Sequence, residues 1–248
     1  MFFVSAPSMA KNTQFILPND MQFTGTVINT APNWMWQVGP AANAWASNWD
    51  INSAEGIERN GETVFTYNER NSKGRTAFVQ GYTKTPAATG GAGLAPIVSI
   101  TSVDGKGIVL NGNTTPQRID IAATGRLYGG ATTFGVLSLV IESSIAASYK
   151  KAGDASHWYM ENYKGSIGWA AASLIIENDG NSYANVGPMK AMYRDVSYDI
   201  LSVLQGKSEP NAHTVMGAFT SHLGKVETRW TTVPQTWNAA LIAQVKIQ

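Results

Sequence analysis

Short runs of β-forming residues, separated by turn-forming clusters, constrain the fold of this chain more than any other sequence feature. Nine such runs span residues 63–67, 75–82, 97–103, 107–110, 118–122, 135–145, 167–177, 225–232 and 238–247. The pairs Asp104-Gly105 and Asn111-Gly112 between runs tolerate the positive φ of tight turns. Many strands at short spacing predict a mainly β fold, and a sandwich in particular. We expect the Ala- and Gly-rich stretch 87–94 to be a surface loop.

One segment has a helical pattern instead. Its apolar residues are Met189, Met192, Tyr193, Val196, Ile200, Val203 and Leu204. Their spacing follows a 3.6-residue period, Pro188 suits a first helical turn, and Gly206 suits the position after a last turn. This pattern predicts a helical insertion near 188–206 on a β framework, with its apolar stripe facing the core.

Composition excludes several classes of function. The chain has 248 residues, which fits one all-β domain, and only 14% of them are charged. It contains no Cys, so disulfides, zinc–thiolate sites and cysteine nucleophiles are excluded. The net charge is +1 without a long basic run, so no nucleic-acid partner is expected.

The sequence lacks the motifs of an enzyme. His157, His213 and His222 do not form a metal-binding pair at helical spacing. No nucleophile elbow, phosphate loop or dinucleotide fingerprint is present. We therefore predict no enzymatic activity, no catalytic residue, no cofactor and no metal. A secreted hydrolase with two convergent carboxylates remains an alternative.

The tryptophans allow two interpretations. Trp34 and Trp36 share one face of a strand, which indicates a core contact. Trp158, Tyr163 and Trp169 are candidate glycan contacts, because exposed aromatic rings stack on sugars. If these three line a groove, the chain is a self-contained secreted lectin. For each Trp, burial in the core is the favoured interpretation.

The first residues indicate export. Phe2, Phe3 and Val4 are apolar, and Ser8 and Ala10 are small, as a signal-peptide cleavage site requires. We interpret residues 1–10 as a truncated signal peptide and 11 as the start of the mature chain. An ordinary N-terminus is the alternative.

Both ends of the mature chain alternate like strands. Near the N-terminus, within residues 11–29, the apolar face consists of Phe15, Leu17, Met21, Phe23, Gly25 and Val27. This segment can pair within its own domain or with a neighbouring chain. At the C-terminus, Leu241, Ala243, Val245 and Ile247 share one face of a strand that runs to the end of the chain.

Two stretches resemble a known family. Residues 20–27 are similar to the alternating, glycine-containing N-terminal segment of chaperone–usher fimbrial subunits. Residues 33–39 resemble the Trp-x-Trp-x-x-Gly stretch that follows it in the cysteine-free branch, the adhesive fimbriae of enterotoxigenic enteric bacteria. Ile247 departs from the pattern, since the family often has an aromatic residue there.

The resemblance implies an incomplete immunoglobulin-like sandwich completed by donor-strand exchange. It implies a truncated signal peptide at 1–10, a donor extension at 11–29 and a pilin domain at 30–248. Leu241, Ala243, Val245 and Ile247 would border the acceptor groove and face the chaperone. The implied partners are neighbouring subunits, a periplasmic chaperone, an outer-membrane usher and a host glycan. We expect a minor subunit, exported through the periplasm to a surface fimbria that contributes to cell adhesion.

Overall fold

The structure is a computed structural model that describes residues 32–67, 73–178, 190–194 and 200–248. The predicted signal peptide and donor extension lie outside these residues. The first seven strands are β1 Trp34–Val38, β2 Ile57–Arg59, β3 Glu62–Tyr67, β4 Thr76–Thr83, β5 Pro96–Thr101, β6 Gly107–Val109 and β7 Gln117–Arg126. The others are β8 Thr132–Lys151, β9 Asp154–Tyr163, β10 Lys190–Arg194, β11 Ala212–Trp230, β12 Thr236–Ala239 and β13 Ala243–Ile247. The α-helices are α1 Ala42–Ala46, α2 Ser166–Asn178 and α3 Ile200–Leu204, and Ser53–Glu55 is a short 3-10 helix.

Two long strands organise a ten-stranded sheet. β8 and β11 pair antiparallel along most of their lengths. They lie at the centre of the strand order β1-β4-β11-β8-β7-β12. β3 pairs with the C-terminal part of β11, and β2 pairs with the other edge of β3. β9 pairs with the C-terminal part of β8, and β10 pairs with the other edge of β9. All of these pairings are antiparallel except β9–β10, which is parallel. The long pair therefore links two regions of the molecule.

The first region is a sandwich, residues 32–67, 73–141 and 219–248. A three-stranded sheet, in the order β13-β5-β6, packs against one face of the large sheet. Its core alternates along each strand: Ile119, Ile121 and Ala123 of β7 are buried, and the residues between them are not. Period-2 burial of this kind is typical of a sheet with one solvated face. The mainly β, immunoglobulin-like sandwich is confirmed.

The second region, which we call the lobe, comprises residues 142–178, 190–194 and 200–218. Here both faces of the sheet are covered. Ala147 packs in one cluster with α3, and its neighbour Ala146 packs in another with α2. Seven consecutive residues of β8, Ser143 to Tyr149, are buried as a result. A strand that is covered on both faces loses the alternation that marks a half-buried strand.

The expected strand at 167–177 is wrong, because these residues form α2. Its buried residues are Ile167, Gly168, Ala171, Ala172, Leu174 and Ile175. Their spacing of three and four residues is helical, and the Ala run favours a helix. Gly168 allows close approach, since an added Cβ would lie 1.8 Å from the Tyr163 carbonyl oxygen. The apolar run alone did not distinguish a buried strand from a buried helix.

The helix expected near 188–206 is only partly correct. Residues 190–194 form β10, which pairs in parallel with β9, and only Ile200–Leu204 is helical. The free edge of β9 offers backbone hydrogen bonds to this segment, and tertiary pairing of this kind overrides weak local propensity. Ile200, Val203 and Leu204 are buried, as the apolar stripe predicted.

Two further expectations need correction. The C-terminal strand is divided into β12, which pairs β7, and β13, which pairs β5. The stretch 87–94 is not a simple surface loop, because Ala87 and Leu94 are buried and Ala87 bridges to Val215 of β11.

Candidate functional site: a groove between two strand edges

The sandwich has two strand edges that flank one gap. Among the described residues, β1 pairs only β4, and β13 pairs only β5. Trp34 and Trp36 of β1 are half-buried, and Val245 and Ile247 of β13 remain more than a third exposed. An edge strand presents unpaired backbone N–H and C=O groups to any chain that can extend the sheet. We call the space between β1 and β13 the groove.

One end of the groove is bridged. The Nε1 of Trp34 donates a hydrogen bond to the Gly93 carbonyl oxygen at 2.9 Å. The Gly93 amide donates to the Gln248 carbonyl oxygen at 2.7 Å, and the Gln248 amide donates to the Ala95 carbonyl oxygen at 3.0 Å. The loop around Gly93 thus ties the start of β1 to the end of β13. We call this the closed end.

The other end opens into a cavity of about 890 Å³. Val38 at the end of β1 and Leu241 before β13 both line it. Its floor is the core face of the large sheet, including Leu139, Leu223 and Val226. Interiors of folded proteins are close-packed, with few voids larger than a water molecule. A space of this size beside core residues is room for further side chains. We call this the open end.

Aromatic rings build one wall of the cavity. Trp45 and Trp49 lie with ring centroids 4.9 Å apart, and Trp49 and Tyr67 lie 5.8 Å apart, both edge to face. Tyr67 also contacts Trp237, with a centroid distance of 5.9 Å. The rings come from α1 and its following loop, β3 and β12, so the wall joins residues that are distant in the sequence. Edge-to-face pairs fix ring orientation, and so they hold the wall in shape.

Hydrogen bonds to residues 73 and 74 fix the segment 42–51, which contributes Trp45 and Trp49 to this wall. Trp45 Nε1 donates to the Gly74 carbonyl oxygen at 2.9 Å. Lys73 Nζ donates to the carbonyl oxygens of Trp45 and Ser47 and lies 4.9 Å from the centroid of Trp49. A cation held over an indole face adds attraction to these hydrogen bonds. The cavity wall is therefore preformed.

The cavity is a low-polarity environment for the phenol of Tyr67. Burial raises the pKa of Tyr67, and hydrogen bonds with Thr228 and Trp237 oppose that shift in part. Among the described residues, no cluster of three or more His, Asp or Glu could hold a metal ion. Polar residues, Asp50 among them, also line the cavity, but its floor of core residues suits apolar side chains.

The C-terminal site residues lie at the groove. Leu241 and Ala243 pack against the sandwich core while remaining partly exposed, and Leu241 lines the cavity. Val245 and Ile247 lie in β13 and are 38% and 37% exposed. The donor residues Phe15, Leu17, Met21, Phe23, Gly25 and Val27 lie outside the described residues.

The candidate glycan residues are not brought together on the surface. Trp158 and Tyr163 are 2% and 7% exposed and belong to two different core clusters of the lobe. Trp169 on α2 is 41% exposed. Buried rings cannot stack on a sugar in this conformation, so the core interpretation applies to Trp158 and Tyr163.

Sequence reasoning missed the residues that shape the open end. No local pattern assigns Trp45, Trp49 or Trp237 to a site, or distinguishes the turn 233–236 from other turns. The signal that could have found them is the cluster of four Trp between positions 34 and 49, a segment whose strand and helix are only five residues each.

None of the helices in the described part of the chain is long and apolar enough to cross a membrane. The fold and groove together define a class: a β-sandwich with a groove between two strand edges. The model of a family described as "Fimbrial, major and minor subunit" matches residues 8–248. The chain belongs to this family and is a structural subunit of a fimbria, a cell-surface appendage built with other fimbrial subunits. No curated protein matches the chain.

Proposed function

We propose that the groove accepts a strand from the N-terminal extension of a neighbouring subunit, and that the chain polymerises by repeating this exchange. The observation that carries the proposal is the pair of strand edges that lack a second partner among the described residues, with a cavity of about 890 Å³ at the open end of the groove between them. Chaperone–pilin complexes use this mode of recognition, in which an added strand gains affinity from ladder hydrogen bonds and register from alternate side chains.

The extension has the composition that the groove requires. Its apolar face runs from Phe15 to Val27, is interrupted at residues 18–20, and alternates with Gln22, Thr24 and Thr26 after that. Burying its five apolar side chains contributes roughly 8–15 kcal/mol before the cost of ordering the segment. Gly25 suits a place where the half-buried rings of Trp34 and Trp36 leave little depth.

The shape of the groove favours one direction for the added strand. The closed end is bridged by Gly93, so a strand attached to a second chain leaves most easily at the open end. Through β13, the chain runs from Leu241 at the open end to Gln248 at the closed end. A donor whose C-terminal end leaves at the open end is therefore antiparallel to β13, which is the slightly more stable pairing.

Before assembly, the exposed groove requires a cover, because a free apolar edge invites aggregation. A periplasmic chaperone that lends a strand fills this role in our proposal, and an outer-membrane usher exchanges it for the next subunit. In the same proposal, residues 1–10 are the last part of a signal peptide that exports the chain. The exported chain acts as a minor subunit and contributes to adhesion as part of the fibre.

Two full-chain variants test the proposal. Phe23→Asp places a charge on the apolar face of the extension and gives a donor-disabled chain. Leu241→Asp places a charge at the groove and gives an acceptor-disabled chain. We expect the unmodified chain to form multimers and each variant alone to stay monomeric. A 1:1 mixture should form only dimers, because each variant retains one working end. Analytical ultracentrifugation measures the species.

Matched controls carry the same charge one position away. Gln22→Asp lies on the opposite face of the extension, and Ile242→Asp lies at a residue that is 55% exposed. Both controls should still form multimers. Multimers of either disabled chain, or a mixture that stays monomeric although both variants fold by circular dichroism, would overturn the proposal.

A further inference from the structure

A rigid hairpin tip presents the most exposed aromatic side chain in the described part of the chain. Tyr128, between β7 and β8, is 93% exposed. The Leu127 amide donates to the Ala131 carbonyl oxygen at 2.8 Å, and the Gly130 amide donates to the Leu127 carbonyl oxygen at 2.9 Å. Arg126 Nη1 also donates to the Gly130 carbonyl oxygen, at 3.1 Å. Tyr128 is thus held outward by a hydrogen-bonded turn.

This tip lies at the open end of the groove. The Gln235 amide donates to the Arg126 carbonyl oxygen at 2.7 Å, and Thr133 Oγ1 donates to the Thr232 carbonyl oxygen at 3.4 Å. Pro234 and Gln235 line the cavity. Pro234 packs on β7 so closely that a Cβ at Gly125 would lie 2.4 Å from it. The hairpin therefore forms the rim of the opening.

Further apolar surface lies at the same end. Val233 is 38% exposed and lines the cavity, whereas Phe134 is 75% exposed but pairs with Thr124 on the sheet face that points away from the core. Tyr128 and Val233 are therefore the exposed apolar residues of the rim. Exposed apolar patches on soluble domains mark interaction sites, and Tyr is enriched among the residues that carry binding energy.

The length of chain before β1 determines which partner can reach the rim. Four residues, 28–31, separate Val27 from Pro32, the first described residue. An extended chain spans at most about 3.6 Å per residue, so Val27 and Pro32 are at most about 18 Å apart. If Val27 is the last residue in the groove, the body of the donor chain begins within about 18 Å of the open end, close enough to contact it.

We propose that Tyr128 and Val233 form a docking surface for the body of a second copy of this chain, the copy whose extension fills the groove. The inference rests on the proposed function and adds a contact between folded bodies. This contact fixes the angle between successive subunits, because the extension alone joins them at a single point.

The test separates docking of the body from insertion of the strand. The acceptor is the donor-disabled full chain, with and without Tyr128→Ser, and it is titrated with two partners. One partner is the acceptor-disabled full chain, and the other is a synthetic peptide of residues 11–29. Tyr128→Ser should weaken binding of the full chain about tenfold, as expected when one interface aromatic is removed. Its affinity for the peptide should change less than about twofold, because the tyrosine lies outside the groove.

The matched control is Val109→Ser, at a residue that is 53% exposed on β6, away from the rim. It should bind both partners like the parent acceptor. Equal affinity of the parent and the Tyr128→Ser acceptor for the full chain, with normal peptide binding, overturns the docking surface and leaves strand insertion intact. Failure of the peptide to bind any acceptor overturns the proposed function itself.

Discussion

The sandwich and the lobe share the strands β8 and β11 but finish their packing in different ways. In the lobe, the sheet is covered by α2 on one face and α3 on the other, and Ala146, Ala147 and Ala218 are fully buried. In the sandwich, the same sheet is covered on one face only, and a cavity of about 890 Å³ lies beside its core. The core of the lobe is filled, with Ala87 and Leu94 of the stretch 87–94 packed into it, whereas the sandwich leaves space for added side chains.

The difference follows from what covers each part of the long strands. Small side chains in the lobe allow α2 to approach closely, since Ala171 and Ala172 meet Ala146 and Ala218 in one cluster. In the sandwich, β13 and β1 are kept apart, and the Gly93 loop joins them only at the closed end. We infer that the stability of the lobe is independent of assembly, whereas that of the sandwich increases with it.

The largest effect is expected from a cavity in the lobe. Ile175 on α2 is fully buried, so Ile175→Ala should lower the free energy of unfolding by about 2–5 kcal/mol. The loss should be the same with and without the peptide of residues 11–29, as measured by urea unfolding of the donor-disabled chain. Ile176→Ala, at a half-buried neighbour, is the control and should cost less. A loss that the peptide restores would contradict the independence of the lobe.

The peptide itself should stabilise the sandwich. At a concentration about 100 times its dissociation constant, a ligand specific for the folded state raises the free energy of unfolding by about 2.7 kcal/mol. Hydrogen exchange measured by mass spectrometry should slow first at β1 and β13, while local opening of α2 is unchanged. A peptide with Asp at the positions of Phe23 and Val27 should have no effect. Protection confined to α2 would show that the peptide binds elsewhere.

A smaller effect is expected at the wall of the groove. Trp36 covers Gly81 of β4, where an added Cβ would lie 2.4 Å from its ring. Gly81→Ala should displace this ring toward the groove, cost about 1–3 kcal/mol from overpacking and weaken peptide binding. Gly107→Ala is the control, because its Cβ would meet only ordinary contacts at 3.7 Å. If Gly81→Ala binds the peptide as tightly as Gly107→Ala, Trp36 does not border the bound strand.

The smallest effect concerns pH at the junction of the two regions. Burial and the nearby Arg75 lower the pKa of His222 below its ordinary value of 6.5, while Glu142 opposes the shift. The unfolded chain therefore binds a proton more readily there, and stability falls as the pH drops below about 6.5. His222→Gln should flatten the pH dependence of unfolding between about pH 7 and pH 5. Identical slopes for the variant and the parent would exclude this contribution.

A second group acts in the same direction at lower pH. Burial raises the pKa of Asp120, but the hydrogen bond from Ser138 and the charges of Arg229 and Arg118 outweigh it, so the net shift is downward. Its stabilising contribution is present above the unfolded pKa and is lost as the pH falls toward the folded value. The decline that His222 starts therefore continues as Asp120 becomes protonated.

Much of the sandwich could be predicted from sequence, because half-buried strands keep their alternation. The runs near β3, β4, β5, β6 and β7 lie within a few residues of the observed bounds. The long strands were only partly predicted: the run 135–145 covers part of β8, and 225–232 covers the end of β11. Many of their remaining residues are buried on both faces of the sheet. Their sequence therefore does not alternate between apolar and polar residues, and the strand could not be recognised from it.

The candidate site was predictable on one side only. Val245 and Ile247 could be assigned to a C-terminal strand from their alternation, and that strand does border the groove. The opposite wall depends on Trp45, Trp49 and Trp237, which meet only after β12 pairs β7 and α1 packs on the sheet. Contacts between such distant positions leave no local pattern.

Residue types and a two-residue period are enough to predict the mainly β class, the absence of disulfides and the alternating ends. Tertiary contacts determine that residues 167–177 are a helix, that 190–194 add to the edge of β9, and that the C-terminal strand divides between two sheets. An apolar run is compatible with a buried helix and with a buried strand. The strand with which a segment pairs depends on which strand edges, distant in the sequence, are free. The groove between β1 and β13 also depends on tertiary structure, because it forms where the fold leaves two strand edges without a neighbour among the described residues.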